Sequence, residues 1–206
     1  MKVHSFALGP FHTNSYLVED ETTGDALLVD PTIESQSILP FITEHRLHVA
    51  LIVNTHGHID HVFGDAFFKE KTGAPLAIHQ ADAPSLKSAA NQAKMFGLDA
   101  PPAVTVDRLL ADGDTVQVGQ MSFRVIHTPG HTPGGICLYG HSVLFSGDTL
   151  FAGSIGRTDL PGGNFDQLMG SIRQRLLTLP DETIVHSGHG ANTTIGEEKE
   201  GNPFLQ

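Results

Sequence analysis

The sequence predicts an α/β protein in which helices cover the faces of β-sheets, and three observations carry that prediction. Short apolar, β-branched runs such as Ala50-Leu51-Ile52-Val53 alternate along the chain with stretches of helical spacing such as residues 165–179. The order is strands, helix, strand–loop–helix, strand, helix, then strands, helix and a last strand. Both halves contain a strand that ends in a loop bearing His or Asp, a pattern that suggests two sheets facing each other.

Taken in order, residues 2–8 and 14–19 alternate apolar and polar across a Gly9-Pro10 turn and read as two antiparallel strands. Residues 25–31 form a third strand, started after Thr23-Gly24 and stopped by Pro31. Asp30 at its end is either a turn-capping carboxylate or a partner that orients a metal ligand. Residues 34–47 have helical spacing, with Pro40 early in the segment, and residues 49–54 are a buried strand. A helix is expected over 60–71, closed by Gly73, then a short strand over 75–79 and a polar, Ala-rich surface helix over 81–96. Residues 98–106 read as loop. Hairpins are expected at 115–118 with 122–127, over Gly119-Gln120, and at 136–139 with 142–146. An amphipathic helix over 165–179 places Phe165, Leu168, Met169, Ile172, Leu176 and Leu179 on one side, and residues 183–186 form the last strand.

At 206 residues, without a linker, a low-complexity tract or a charge block, the chain reads as one domain over 1–206. Its 12 Lys and Arg stand against 23 Asp and Glu, a formal net charge of −11. That balance, with no basic run, argues against nucleic acid or an anionic membrane as partner and leaves a small molecule. Cys137 is the only cysteine, so an intrachain disulfide is excluded, and its strand-like surroundings read as a buried structural thiol. The N-terminal residues lack an apolar run long enough for a signal peptide and nothing approaches a membrane span, so the expected location is cytoplasmic. Oligomeric state is left open.

The chemistry is concentrated in Thr55-His56-Gly57-His58-Ile59-Asp60-His61, where a strand hands over to a helix. Imidazole and carboxylate without thiolate suit zinc, iron or manganese. A structural zinc fits poorly, because such sites are closed by four ligands and commonly include Cys. His131, Asp148 and His189 share one further context, each beside or within one residue of a glycine and next to an apolar strand. Five His and two Asp are too many for one ion that must also admit substrate. Two ions about 3.5–4 Å apart can use them, with one carboxylate as a bridge.

The series H-x-H-x-D-H, then Gly130-His131-Thr132-Pro133-Gly134, Ser146-Gly147-Asp148 and Gly188-His189-Gly190 resembles the metallo-β-lactamase fold superfamily over nearly the whole chain. The resemblance implies a four-layer αβ/βα sandwich with metals at one edge. It would assign His56, His58 and His131 to one ion, Asp60, His61 and His189 to the other, and Asp148 as the bridge. Asp148 stands where the zinc β-lactamases commonly carry Cys, which argues against antibiotic hydrolysis. His58 stands where flavodiiron oxygen reductases carry Glu, and the basic arm of the tRNA-processing nucleases is missing. Residues 151–159, Phe-Ala-Gly-Ser-Ile-Gly-Arg-Thr-Asp, and the tail with Thr194-Ile195-Gly196-Glu197-Glu198-Lys199 and Asn202-Pro203-Phe204 are similar to short forms of the glyoxalase II (hydroxyacylglutathione hydrolase) group, which lack its C-terminal helical region.

The implied activity is hydrolysis of the thioester of S-2-hydroxyacylglutathione by a hydroxide held between two divalent ions, zinc first, with iron or manganese as alternatives. Asp60 is expected to hold that hydroxide in line besides serving the second ion. Arg157 is the candidate anchor for a substrate carboxylate through its planar fork, with a surface arginine as the rival reading. Lys199 is the second candidate contact, against a solvated tail lysine. Two other activities stay open: an Fe(II) persulfide dioxygenase, whose Gly156–Asp159-like run and His56, His131, Asp148 face this chain shares, and a hydrolase of another ester or lactone. A metal-binding scaffold without turnover is the remaining reading.

Overall fold

Along the strands successive side chains leave opposite faces, and this alternation sorts the apolar residues into three separate clusters. The computed structural model describes residues 1–206. One sheet holds β1 (Lys2–Leu8), β2 (Thr13–Glu19), β3 (Asp25–Val29), β4 (His48–Val53), β5 (Leu76–His79) and β6 (Arg108–Leu110), side by side in that order. The other runs β7 (Thr115–Val118), β8 (Met121–His127), β9 (Ile136–Gly140) and β10 (Val143–Gly147), then β13 (Ile184–Ser187) and β14 (Thr193–Thr194). Between the last two groups the chain makes a separate hairpin of β11 (Leu150–Phe151) and β12 (Ser154–Ile155).

Tyr16, Val18, Leu27 and Val29 from the first sheet meet Phe123, Val125, Leu138 and Phe145 from the second, so the central cluster is the space between the sheets. The alternate residues Leu17, Ala26 and Leu28 face outward against α1 (Leu39–Glu44), α2 (Ile59–Val62), α3 (Asp65–Thr72) and α4 (Ala89–Met95), through Ile42, Ile59, Phe68 and Ala93. On the other side Ile126, Cys137 and Leu144 face α5 (Phe165–Ser171) and α6 (Ile195–Gly201), through Leu168, Met169 and Ile195. The result is the expected four-layer αβ/βα sandwich. Phe123 and Phe145 are fully buried, and truncating either to Ala should cost about 3–5 kcal/mol. Cys137 is buried as expected, and burial pushes its thiol up to about 11, well away from a nucleophile.

Several expected elements differ in detail. The helix expected over 60–71 is broken into α2 and α3 at Phe63-Gly64, because the Gly64 N–H leaves the helical ladder and donates to the Pro31 carbonyl at 2.7 Å. The segment 34–47 begins as a 3₁₀ turn, Ser35–Ile38, and Pro40 falls in the first turn of α1, where no N–H is needed. The segment 81–96 is a 3₁₀ turn, Ala83–Ser88, followed by α4, and it buries Leu86, Ala89 and Ala93 rather than lying loosely on the surface. After α5 the chain widens into a π turn, Ile172–Leu176, and Phe165 is half exposed instead of joining the apolar side. The strands β6, β11, β12 and β14 and the helix α6 were not anticipated; they are too short, or too polar, to show a period. No helix is long and apolar enough to cross a membrane.

Candidate metal centre

The strands β3 and β4 run parallel, as do β10 and β13, and the loops bearing the candidate ligands leave their carboxyl ends. His56, His58, Asp60 and His61 follow β4, Asp148 follows β10 and His189 follows β13. His131 lies on the turn between β8 and β9. Asn54 closes the first loop on itself, donating through Nδ2 to the His61 carbonyl at 3.1 Å and to Asp65 Oδ1 at 3.1 Å.

All seven candidate ligands meet. Their donor atoms form three overlapping groups, His56–His58–His131, His56–His61–Asp148 and Asp60–His61–His189, with the atoms of each group within 4.8 Å of one another. Asp148 stands between the others: Oδ1 is 3.4 Å from His61 Nε2, and Oδ2 is 3.5 Å from both His131 Nε2 and His189 Nε2. Four of the five imidazoles have one ring nitrogen fixed by an oxygen outside the centre. His61 Nδ1 donates to Asp30 Oδ2 at 2.9 Å, His131 Nδ1 to the Arg157 carbonyl at 2.8 Å and His189 Nδ1 to the Phe11 carbonyl at 3.1 Å. His56 Nδ1 faces Thr55 Oγ1 at 3.1 Å, and that hydroxyl donates to Asp30 Oδ2 at 2.6 Å. In each case the other nitrogen, Nε2, points into the interior, where a ligating histidine must offer its lone pair.

The buried atoms fit a pair of cations. His56 Nε2, His61 Nε2 and Asp148 Oδ1 are out of solvent and have no hydrogen-bond partner, an arrangement costly for a protein unless the atoms bind something. Imidazole and carboxylate donors without thiolate suit zinc, iron or manganese. The charge pattern agrees. Burial, reinforced by the facing His61, His131 and His58 rings, holds His56 well below its usual range, and burial with His131 holds His58 at about 4. Asp60 and Asp148 stay below the usual carboxylate range although burial acts the other way, because His61 and His189 lie against them. Conversely, burial depresses His61 and His189, but the surrounding carboxylates prevail and raise them to about 9 and about 10.

Beside the centre opens a cavity of about 450 Å³, lined by Asp148, Phe151, Ala152, Ile155, Arg157 and His189 among others. Arg157 thus reaches the cavity wall, but its fork is engaged by Asp159, with Nε and Nη2 both 2.7 Å from the carboxylate oxygens. Lys199 lies elsewhere: it donates to Asp181 and to the Leu179 carbonyl and is not among the lining residues. Sequence reasoning missed Thr13, whose hydroxyl donates to Asp60 Oδ2 at 3.1 Å, and Asn14, whose Nδ2 donates to the carbonyls of Ser187 and Gly190 on either side of His189. No periodicity or motif marks either residue.

Residues 8–189 match the family model described as the Metallo-beta-lactamase superfamily. The chain is 37% identical to the hydroxyacylglutathione hydrolase GloC of Haemophilus influenzae over 100% of its own length and 98% of the relative's. Among solved structures it is similar to the BLEG-1 B3 metallo-β-lactamase, with a TM-score of 0.94, 36% identity and full coverage of both chains. It is also similar to TTHA1623 in a di-iron-bound form, with a TM-score of 0.90 and 40% identity over 98% of this chain and 100% of that one.

Proposed function

The chain belongs to the metallo-β-lactamase superfamily, and we propose that within it this metallo-hydrolase cleaves the thioester of S-2-hydroxyacylglutathione at a centre of two divalent ions. The observation that carries the reading is the pair of ligand groups that meet at Asp148 on the wall of one cavity. His56, His58 and His131 would hold one ion, Asp60, His61 and His189 the other, with Asp148 between them. Zinc is the proposed metal; the di-iron form of one similar structure makes iron the first alternative.

When bound, such ions supply a water whose pKa falls to about 7 and a positive charge that polarises a carbonyl. The rest is the work of the chain. Asp60 has its Oδ2 fixed by Thr13 and stays ionised, so it can accept a hydrogen bond from the attacking water and hold it in line. Phe151, Ala152 and Ile155 shield the acyl group on the cavity side. Arg157 can exchange Asp159 for a carboxylate of the thiol carrier, because both partners of that pair are exposed. The leaving thiolate needs no strong acid, since a free thiol has a pKa of about 8.5.

Replacing His56 or Asp148 by Ala and assaying S-lactoylglutathione together with metal content tests the reading. Turnover should fall with the metal. Turnover retained after metal is lost overturns the two-ion mechanism. A wild-type protein that holds one iron and consumes O₂ with glutathione persulfide would be the dioxygenase instead. Ester, lactone and β-lactam substrates complete the panel, the last because one similar structure is a B3 metallo-β-lactamase.

A further inference from the structure

Asp82 occupies the turn after β5 and belongs to none of the three ligand groups. It is nonetheless 3% exposed, and its carboxylate accepts hydrogen bonds from two loops distant in sequence. The Gly57 N–H donates to Oδ2 at 2.9 Å, the Thr132 hydroxyl to Oδ2 at 2.7 Å and the Gly134 N–H to Oδ1 at 2.6 Å. Gly57 lies between His56 and His58, and Thr132 follows His131. One buried carboxylate therefore joins the loop after β4 in the first sheet to the turn between β8 and β9 in the second.

The fit at this joint is close on both sides. A Cβ on Gly57 would stand 1.7 Å from Ser85 Oγ, and one on Gly134 would stand 2.5 Å from the Asp82 backbone nitrogen. Ser85 is itself held by Asp82, its hydroxyl donating to the Asp82 carbonyl at 2.6 Å. Gln92 on α4 completes the brace, accepting from the Ile59 N–H at 3.1 Å and donating to the Gly57 carbonyl at 3.3 Å. The facing nitrogens of the joined loops, His58 Nδ1 and His131 Nε2, come to 2.9 Å. The Asp60–His61–His189 group rests on other supports: Asp30, Thr13, the Phe11 carbonyl and Asn14.

We propose that Asp82 is the positioning residue for one half of the centre: it fixes His58 against His131 and so sets the affinity of the His56–His58–His131 group for a divalent cation, leaving the other group unaffected. The proposal rests on the two-ion reading above. A carboxylate is required because all three partners are donors. Asparagine offers one acceptor oxygen, and its NH₂ must then face an N–H of one loop or the other.

The test is a Zn²⁺ titration of metal-free wild type, Asp82→Asn and Thr132→Val, read residue by residue from the ring-nitrogen NMR signals of the histidines. In Asp82→Asn, binding at His58 and His131 should weaken about 10–100-fold, the range for a lost partner of a metal ligand, while His61 and His189 saturate as in wild type. Thr132→Val, which removes one of the three bonds, should move the same two signals less. Wild-type affinity at His58 and His131 in both variants, or equal weakening at all four histidines, overturns the proposal. Should Asp82→Asn not fold, Thr132→Val decides by the same signals. A wild type that binds one ion at His58 and His131 overturns the two-ion reading instead, and the role of Asp82 is then judged on those two signals alone.

Discussion

The Nδ1 of His61 lies 2.9 Å from Oδ2 of Asp30, and both side chains are sealed from solvent. Asp30 ends β3 in a left-handed conformation, φ 49°, which aims its carboxylate under the metal loop. Its other contacts are the Thr55 N–H at 2.7 Å and the Thr55 hydroxyl at 2.6 Å. Of the two roles open to it in the sequence, the structure places it as the partner that orients a ligand.

Asp30→Ala therefore strips three buried donors of their acceptor at once. Removing one member of such a network typically costs about 3–5 kcal/mol, and metal affinity at His61 should fall about 10–100-fold. Urea unfolding of the metal-free protein and a Zn²⁺ titration measure the two effects. A stability loss below about 1 kcal/mol, the worth of one ordinary hydrogen bond, would mean that the network is not what holds the loop.

Metal uptake should release protons. With no ion bound, His61 and His189 are raised to about 9 and about 10, so both carry a proton at neutral pH, whereas His56 and His58 are held neutral. A ligating imidazole must be deprotonated, so loading both ions at pH 7 should free roughly two protons from this pair. Calorimetry in buffers of different ionisation enthalpy counts them. The sign follows: affinity rises with pH and levels off once both imidazoles are neutral. A count near zero would show that the two rings are already deprotonated.

The ligand set was legible in the sequence because each of its loops carries His or Asp beside glycine at a strand end, a local signal that survives without coordinates. The α/β class was legible because strands such as β8, alternating in hydrophobicity, are interleaved with runs of helical spacing, whereas the four-layer sandwich followed only from the resemblance that the ligand motifs carry. What holds the ligands was not legible. Thr13, Asn14 and Asp82 act through hydrogen bonds that reach residues 47, 173 and 25 positions away, and no local pattern reports a partner at that range. The break between α2 and α3 was hidden for the same reason, since the acceptor of the Gly64 N–H is Pro31.

Asp65 opens α3 wholly buried, with Oδ1 accepting from Asn54 and Oδ2 without a partner. Burial, aided by the nearby Asp30, raises its carboxyl well above the usual range, so folding takes up a proton there. A raised carboxyl leaves stability intact below the unfolded value of about 3.9 and erodes it as pH climbs toward the folded value. Asp65→Asn carries no such proton. It should match wild type near pH 4 and exceed it increasingly toward pH 8 in urea unfolding. A difference independent of pH would show that Asp65 folds ionised.

Glu198 is the last buried carboxylate with a task at the site's edge. It is 3% exposed and accepts from the Gly153 N–H at 2.9 Å, Asn202 Nδ2 at 2.7 Å and the Thr193 hydroxyl at 2.6 Å, while Asn202 Nδ2 also donates to the Ser154 carbonyl. Through these bonds α6 holds the β11–β12 hairpin, whose Phe151, Ala152, Ser154 and Ile155 form one wall of the cavity. The same tail residues, Glu198 and Asn202, belong to the segment that resembles short hydroxyacylglutathione hydrolases. Glu198→Ala leaves the metal ligands untouched but frees the wall, with a stability loss of about 1–3 kcal/mol for the orphaned donors. On the proposed thioesterase reading the wall would contact the substrate before and during reaction alike, so KM for S-lactoylglutathione should rise while kcat and the metal content hold. A fall in kcat at constant KM would instead mean that α6 acts through Asp148 and His189, and the hairpin would lose its assigned part in substrate binding.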